Sequence, residues 1–503
     1  MALFIKKDGM ATNGELISSV TALRCDKVLG ISARDISEYF TDDAEEIAAR
    51  QKTVADCMKL PALAEGLEKL LWYVDSIKEI LEKERAYSSD MERTLYSVRI
   101  IEQYMDAIAA ASDLFEEFGD KLTSERLHGF LAEFSQVYHS EGYAKMGEYV
   151  RECLEDAQTV KSFTVGINLN TKLEPTEIGI ISMNAEPFVT SNFFTELFGS
   201  GRMKDKKLTP MVPFSGKSEL LQRSMYISMN DYLCKAVKRA FRDILKNTDD
   251  ITMALLSAEN DLRFLCRVCK AAAALKEKNA ALCFPKADTA RMRITGAYSP
   301  LLLTHLPYYK VVQNDAEFDK NGYSVYILTG ANSGGKSVYI QAVGLCALMF
   351  QLGIFIPAQS ADMCPVKSIF THFSADISPE GGSGESRFVA ECRVMREVIS
   401  KLTEDSMLLM DESFSGTSSS EGAAVAAQVL KHIISKKCSC IYSTHIHELT
   451  SYTDELNKNG ERVMPMCVEM QNGERTYRII RGRSDDLSHA YDIAKKYGLE
   501  FAE

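Results

Sequence analysis

The sequence predicts a multidomain protein in which an all-α region, interrupted by a small β-containing insertion, is followed by an α/β domain. Residues 41–160 are rich in Glu, Lys, Ala and Leu and poor in Gly and Pro, which is typical of long helices. Two β-rich runs then flank a turn within residues 162–184. After Pro285, short apolar runs alternate with helical segments, as in a largely parallel sheet covered by helices.

The expected domain boundaries lie where the composition and the hydrophobic pattern of the sequence change. A chain of 503 residues corresponds to about three domains at roughly 150 residues each. We expect a short N-terminal segment over residues 1–40, a helical core with levers over 41–285, and an α/β domain over 286–503. The insertion is expected at about 161–215.

The helical region offers a start signal and one conspicuous aromatic residue. Thr41, Asp42 and Asp43 resemble a helix start, with a capping side chain and early acidic residues, and Ile47, Val54 and Met58 recur on one face of the helix that follows. The single tryptophan, Trp72, lies inside the next helical stretch, and we predict that it belongs to the core.

Composition excludes several classes of protein. Hydrophobic residues make up 46% and charged residues 25%, so the chain is neither disordered nor collagen-like. A net charge of −12 argues against a chain coated in basic charge. Thirteen cysteines without framework spacing indicate reduced thiols. With no signal peptide, and an apolar stretch at 343–358 too short to span a bilayer, we expect a soluble, cytoplasmic protein without a membrane partner.

One segment departs from the acidic average. Residues 201–250 hold eleven basic and six acidic residues, a net charge of +5. Contact with a nucleic-acid phosphate backbone is one interpretation, and a solvated helix face is the other. The candidate nucleic-acid contacts are Lys204, Lys206, Lys207, Lys217 and Arg223.

The strongest motif is a phosphate-binding loop after the predicted strand at 325–329. It fits G-x4-G-K-[ST], in which small residues let backbone N–H groups surround a phosphate chain ahead of a helix. The lysine supplies a charge for the β- and γ-phosphates, and the serine hydroxyl can ligate Mg²⁺. ATP is therefore the expected ligand. The loop consists of Gly330, Ala331, Asn332, Ser333, Gly334, Gly335, Lys336 and Ser337.

Polar residues follow two further predicted strands, at 406–410 and 440–443. Asp411 would bind the metal through its coordinated water, and Glu412 would position the attacking water, because phosphoryl transfer depends mainly on positioning and charge neutralisation. His445 is predicted to sense the γ-phosphate, although a lone histidine is more often structural.

The order of these motifs resembles ATPases of the ABC type. The residues within each motif resemble the MutS family of DNA-repair ATPases. The similarity rests on residues 329–339, 386–391, 411–422 and 443–449, and on a closing segment at 482–494. It is specific over about residues 299–499 and weaker over 41–285.

The resemblance implies an ATP-hydrolysing homodimer joined through its ATPase domains. Ser386 would reach the γ-phosphate of the partner's site, and Asn314 and Tyr477 match positions near the family's adenine pocket. Tyr477 could stack on the base, or it could be a half-buried tyrosine of a strand.

This sequence also departs from the family pattern. Ala331, Ser333 and Val338 replace usual residues of the loop, and Arg387 stands where a threonine normally follows the signature serine. The mismatch-reading wedge and the connector domain are not found ahead of the helical core. We therefore expect a trimmed relative that does not read mismatches in the usual way.

Three functions remain open at this point. The first is a MutS-like clamp for duplex or branched DNA in repair or recombination, driven by ATP and Mg²⁺. The second is an ATP-dependent remodelling factor acting on RNA, ribosomes or a protein partner. The third is a helical scaffold that binds ATP without turnover. Cys266 and Cys269 suggest a metal site, but no second pair has zinc-like spacing, so packing along a helix is preferred.

Overall fold

The computed structural model describes residues 3–6, 13–86, 90–159, 161–172, 175–187, 255–330, 334–377, 386–458, 460–471 and 474–483. Contacts divide the chain into two compact units. The first consists mainly of Glu65–Lys121 and His128–Asn260, and the second of Ala2–Ala64, Leu122–Leu127 and Asp261–Glu503. These two units differ from the domains expected from changes in composition along the sequence. Those domain boundaries stay a prediction.

The predicted helical region is confirmed. Asp43 caps the fourth helix by accepting hydrogen bonds from the N–H groups of Glu45 and Glu46, at 2.9 and 3.4 Å. Ile47 and Val54 are buried on its inner face. The helices are α1 (Gly14–Ala22), α2 (Cys25–Leu29), α3 (Ala33–Ser37), α4 (Ala44–Lys59), α5 (Pro61–Ala86), α6 (Asp90–Phe118), α7 (Glu125–Tyr138) and α8 (Glu141–Thr159).

The core position predicted for Trp72 is wrong. Its side chain, on α5, is 59% exposed. The buried stripe of α5 recurs every three or four residues, through Leu63, Leu67, Leu70 and Val74. Trp72 falls between two members of this stripe and therefore on the outer face.

The predicted pair of strands forms an antiparallel hairpin. Strands β1 (Ser162–Leu169) and β2 (Pro175–Asn184) pair from Ser162 opposite Asn184 to Leu169 opposite Pro175. The rest of the predicted insertion, including the basic segment, lies outside the described residues. The helical chain is described again from residue 255, with α9 (Glu259–Glu277).

A six-stranded sheet forms the centre of the α/β part. Its strand order is β12-β11-β6-β10-β9-β8, and all neighbouring pairs are parallel except the antiparallel edge pair β11 and β12. The largely parallel sheet predicted from sequence is thus confirmed. The strands are β6 (Val325–Thr329), β8 (Ser368–Phe373), β9 (Ser406–Asp411), β10 (Ser439–Ser443), β11 (Val463–Gln471) and β12 (Glu474–Arg481).

A four-stranded sheet and four α-helices are also found in the described residues of this part. The sheet has the order β3-β7-β4-β5. Its strands are β3 (Lys286–Ala287), β4 (Arg291–Ala297), β5 (Asn314–Asp319) and β7 (Ser360–Met363), and the helices are α10 (Lys336–Gln351), α11 (Arg387–Lys401), α12 (Ser419–Ser435) and α13 (Thr453–Leu456).

Helix α10 is the central helix of the second unit. Almost every side chain from Tyr339 to Gln351 is buried, which explains the apolar stretch in the sequence. None of the described helices combines the length and hydropathy that crossing a membrane requires.

The described residues of the N-terminal segment, 3–6 and 13–40, contribute to the core of the second unit. Leu3 and Phe4 are buried, and Ser19 of α1 donates a 2.8 Å hydrogen bond to the carbonyl of Ile369 in β8. A Cβ at Gly344 of α10 would lie 2.5 Å from Leu23 and 2.3 Å from Leu409, so this glycine lets both side chains approach the helix closely. The N-terminal segment therefore packs directly on the central helix.

Arg50 of α4 joins the helical core to the far end of α10. The fully buried guanidinium pairs with Glu46 at 2.6 Å and donates to the carbonyls of Ile5, Tyr39 and Leu352. Such a buried charge is tolerated because every side of it finds an acceptor.

Candidate functional site

The glycine-rich loop connects the central strand β6 to helix α10. Gly330 follows β6 with φ +132°, and Gly335 caps α10 with φ +87°, conformations that favour glycine. Helix α10 begins at Lys336, so its positive dipole end faces the loop. Ser337 is exposed in the first turn. Ala331, Asn332 and Ser333 lie outside the described residues.

Lys336 is buried at the start of this helix. Its Nζ donates a 2.7 Å hydrogen bond to the carbonyl of Gly330. Burial lowers the pKa of the ammonium group to about 8, against the opposing effect of Glu412 and Asp411. The lysine is therefore close to losing its proton at mildly alkaline pH.

Two carboxylates lie at the end of β9. Asp411 is partly buried, and its Oδ1 is buried without a hydrogen bond to any residue in the described ranges. The opposite residue on β10, Ser443, has a buried Oγ in the same condition. An unpaired buried carboxylate oxygen is costly, so this position favours a cation or ordered water as its partner.

Glu412 is held in an uncommon backbone conformation next to His445. Its φ is +55°, and its N–H donates a 2.9 Å hydrogen bond to the carbonyl of Ser443. The Oε1 atom of Glu412 lies 2.6 Å from Nε2 of His445. Because β6, β9 and β10 are adjacent and parallel, their carboxyl ends bring Lys336, Glu412 and His445 to one edge of the sheet.

A cavity of about 420 Å³ opens beside the loop. This volume suits a small ligand. Its lining combines polar groups of the loop and Glu412 with apolar side chains. The lining residues are Ala297, Tyr298, Ser299, Leu302, Leu306, Lys310, Val311, Val312, Asn314, Gly334, Gly335, Lys336, Ser337, Val338, Tyr339, Ala342, Glu412 and Tyr477.

Asn314 fixes the backbone on which Tyr477 stands. Its Nδ2 donates to the carbonyl of Tyr477 at 3.1 Å, and its Oδ1 accepts from the N–H of Ile479 at 2.8 Å. Tyr477 has φ +59° at an irregular point of β12, is 49% exposed, and its ring lies 3.5 Å from a Cβ placed on Gly335. Both residues line the cavity, but both polar atoms of the Asn314 side chain are hydrogen-bonded to the backbone of β12.

Ser386 lies at the N-terminus of α11. Its Oγ accepts a 3.4 Å hydrogen bond from the N–H of Val389 and caps the helix. The residue is exposed and is not among those that line the cavity of its own chain. The preceding residues 378–385, and the five candidate nucleic-acid contacts Lys204, Lys206, Lys207, Lys217 and Arg223, lie outside the described ranges.

Sequence reasoning did not single out the buried polar residues behind the two carboxylates. Glu391 and His372 are buried and are bonded to the segment that follows Glu412. A usable signal existed, since Glu391 is a charged residue on the inner face of a helix, between the apolar positions of Ala390 and Met395.

Cys266 and Cys269 both lie on α9, the first buried and the second partly exposed. Within the described part of the chain, no group of three or more His, Cys, Asp or Glu side chains is arranged to hold a metal ion.

Comparison with known proteins gives two family matches. MutS domain V matches residues 326–502, which contain the loop, both carboxylates and His445. The MutS2 N-terminal domain matches residues 42–265, which contain the helical region and the β1–β2 hairpin. The fold and the site thus define a class of protein in which a helical region precedes an α/β domain with a glycine-rich loop. The chain belongs to the MutS family.

Individual relatives are similar over part of their length. The DNA mismatch repair protein MutS of Brevibacillus brevis is 34% identical over 213 residues, 42% of this chain and 23% of that protein. The protein of the same name from Clostridium perfringens is 31% identical over 212 residues, covering 41% and 23%. That of Clostridium kluyveri is 28% identical over 277 residues, covering 53% and 31%. The chain spans less than a third of the length of these relatives.

Proposed function

We propose that the chain hydrolyses ATP to ADP and phosphate in the cavity beside Lys336. The observation that carries this proposal is the convergence of Lys336, Asp411, Glu412 and His445 at the carboxyl edge of three neighbouring parallel strands. The loop before α10 supplies backbone N–H groups and a helix N-terminus for the phosphates. The match to MutS domain V supports the same function.

Mg²⁺ fits this site. A bound ion would neutralise charge that develops during phosphoryl transfer. The Ser337 hydroxyl and the unpaired Oδ1 of Asp411 are the oxygen ligands that such a hard cation prefers.

Glu412 and His445 would have separate roles in hydrolysis. The Glu412 carboxylate would accept a hydrogen bond from the attacking water and orient it, and His445 would donate to a γ-phosphate oxygen. Their mutual 2.6 Å contact keeps both groups at the same point of the site. Tyr477, held by Asn314, lines the same cavity and would cover the base there.

We further propose a homodimer of the ABC type, joined through its ATPase domains. Ser386 is exposed and does not line the cavity of its own chain, which supports a role in the partner's site. The dimer would act as an ATP-dependent clamp on duplex or branched DNA in repair or recombination. The names of the relatives and the net charge of +5 over residues 201–250 support a DNA partner.

The test of hydrolysis compares wild-type protein with Glu412→Gln in a phosphate-release assay, with and without Mg²⁺. We expect Mg²⁺-dependent turnover that Glu412→Gln reduces by about 10²-fold or more, as for loss of a positioned polar group in other enzymes. Equal rates for the two proteins would favour a scaffold that binds ATP without turnover.

The test of DNA binding measures retention of duplex DNA by Glu412→Gln at two salt concentrations, with and without ATP. A clamp held by phosphate contacts should lose affinity steeply with salt and respond to nucleotide. Binding that ignores both variables would overturn the clamp, and recovery of RNA or a protein in its place would favour a remodelling factor.

A further inference from the structure

A buried polar network lies behind the segment Glu412–Ser413–Phe414. Glu391, on the inner face of α11, is fully buried. Its Oε2 accepts the N–H of Phe414 at 2.6 Å, and its Oε1 accepts the hydroxyl of Ser374. The carboxylate thus binds the backbone two residues after Glu412.

His372 of β8 makes a second attachment to the same segment. Its Nε2 lies 3.0 Å from the carbonyl of Glu391, and its Nδ1 lies 2.6 Å from Oγ of Ser413. Burial lowers the pKa of this imidazole, so the ring is neutral at ordinary pH. Nε2–H donates to the carbonyl of Glu391, which can only accept, and the hydroxyl of Ser413 donates to the carbonyl of His372 at 3.0 Å.

The segment between these attachments has a strained backbone. Glu412 and Phe414 have φ values of +55° and +64°, which non-glycine residues seldom adopt. Such conformations persist where the surroundings over-determine them. Besides Glu391 and His372, the hydroxyl of Tyr442 donates to the carbonyl of Ser413. The direction in which the Glu412 side chain leaves the backbone is therefore set by buried partners.

Arg387 compensates the charge of Glu391. Its Nε lies 3.4 Å from Oε1 of Glu391, and its Nη2 donates to the carbonyl and the hydroxyl of Ser374 at 2.8 and 3.0 Å. Arg387 is the residue next to Ser386, and it stands where the family's signature normally has threonine. In this chain, the residue beside the signature serine is bonded to the network behind Glu412.

We propose that Glu391, with Arg387, is a positioning residue that holds Glu412 in its geometry for hydrolysis and links it to the helix capped by Ser386. The inference rests on the proposed ATPase function. It assigns Glu391 an effect on turnover that passes through Glu412, because the lysine, the loop and the cavity are not among its bonded partners in the described residues.

The test is a double-mutant cycle between Glu391→Gln and Glu412→Gln. Glutamine can still accept from the N–H of Phe414 and donate to the oxygen of Ser374, so the fold is retained while the charge and the Arg387 pairing are lost. We expect Glu391→Gln to lower kcat about tenfold, the effect of about 1.4 kcal/mol. ATP affinity and KM should stay within about twofold. In the Glu412→Gln background the second substitution should add nothing to the residual rate.

The matched control is Glu397→Gln, the same change at an exposed position of the same helix. It should leave kcat unchanged. If Glu391→Gln fails to fold in a thermal melt, Ser374→Ala replaces it in the cycle with the same expectations, because it removes the hydroxyl that donates to Glu391 and accepts from Arg387.

Three results would overturn the inference: an unchanged kcat, a loss of ATP affinity as large as the loss of turnover, or an equal loss in both backgrounds. Each of these differs from failure of the ATPase proposal itself. In that case wild type and Glu412→Gln would hydrolyse ATP at the same rate, before Glu391 is altered.

Discussion

The side chains of Glu412 and His445 share a 2.6 Å hydrogen bond although they follow different strands. Each side chain is about a third to a half exposed, so the pair is not a core contact, and Glu412 lines the cavity. Nε2 of His445 must leave Oε1 of Glu412 before it can donate to a phosphate oxygen, whereas Glu412 keeps its second oxygen, Oε2, for water. Their functions should therefore be coupled.

Replacing His445 tests this coupling. We expect His445→Ala to lower kcat by about 10² to 10³, as for other positioned hydrogen-bond donors. ATP binding should change by less than about threefold, since the lysine and the loop are intact. Phosphate release and equilibrium binding of a fluorescent ATP analogue measure the two effects, and a loss confined to binding would contradict the role.

ATP affinity should fall as pH rises above about 8, where the buried ammonium of Lys336 loses its proton. The phosphates bind the protonated form, so ATP raises the lysine's pKa. Affinity is then greatest below the free-protein pKa and decreases by up to about tenfold per pH unit above it. Titrations between about pH 7 and 9.5 measure this, with Lys336→Arg as the control whose charge does not titrate in that range. A wild-type affinity that is flat over this range would refute the titration.

Asn314 should affect the base end of ATP and not its phosphates. Asn314→Ala removes both hydrogen bonds that hold β12 around Tyr477, and we expect KM for ATP to rise about three- to tenfold, the effect of one or two net hydrogen bonds. Tyr477→Ala should have a similar effect, Tyr477→Phe little, and the two alanine changes together less than their sum. Inhibition by tripolyphosphate, which has no base, serves as the control. Weaker tripolyphosphate binding by Asn314→Ala would place its effect elsewhere.

A mixing experiment tests whether Ser386 acts in the partner's site. Lys336→Met should inactivate its own site but keep Ser386, and Ser386→Ala should do the reverse. In a mixed dimer, the intact site of the second chain faces the intact serine of the first. Activity should rise on mixing well above the sum of the separate proteins, and no gain would argue for action within one chain.

Arg50 should matter for stability in proportion to its burial. Arg50→Met leaves the carbonyls of Ile5, Tyr39 and Leu352 without this donor, and we expect a loss of about 3–5 kcal/mol, the range for breaking a buried charge pair. Lys6→Met, which breaks the more exposed pair with Glu38, should cost about 1 kcal/mol or less. Urea unfolding followed by circular dichroism compares the two. Equal losses would mean that burial does not set the value of these pairs.

Local patterns explain what the sequence could predict. The loop before α10 and the positions of Asp411, Glu412 and His445 follow from short runs of β-forming residues that each end in a polar group. Parallel strands then bring those ends together without further information. The roles of these residues stay predictions, as does the role of the basic segment.

Contacts between distant residues explain what it could not. Glu391 binds a backbone group 23 residues away, and Arg50 reaches a carbonyl 302 residues away. No periodicity encodes such pairings. The error at Trp72 has a different cause, since helix periodicity was present but the residue was assigned to the wrong face.

The packing of Leu23 against Gly344, together with the bonds from Arg50, has a practical consequence for protein engineering. A fragment cut at residue 286 would retain every motif of the α/β part and yet expose the flank of its central helix. Fusing this α/β part to another protein, or crystallising it alone, would require keeping roughly the first sixty residues, because they cover that flank.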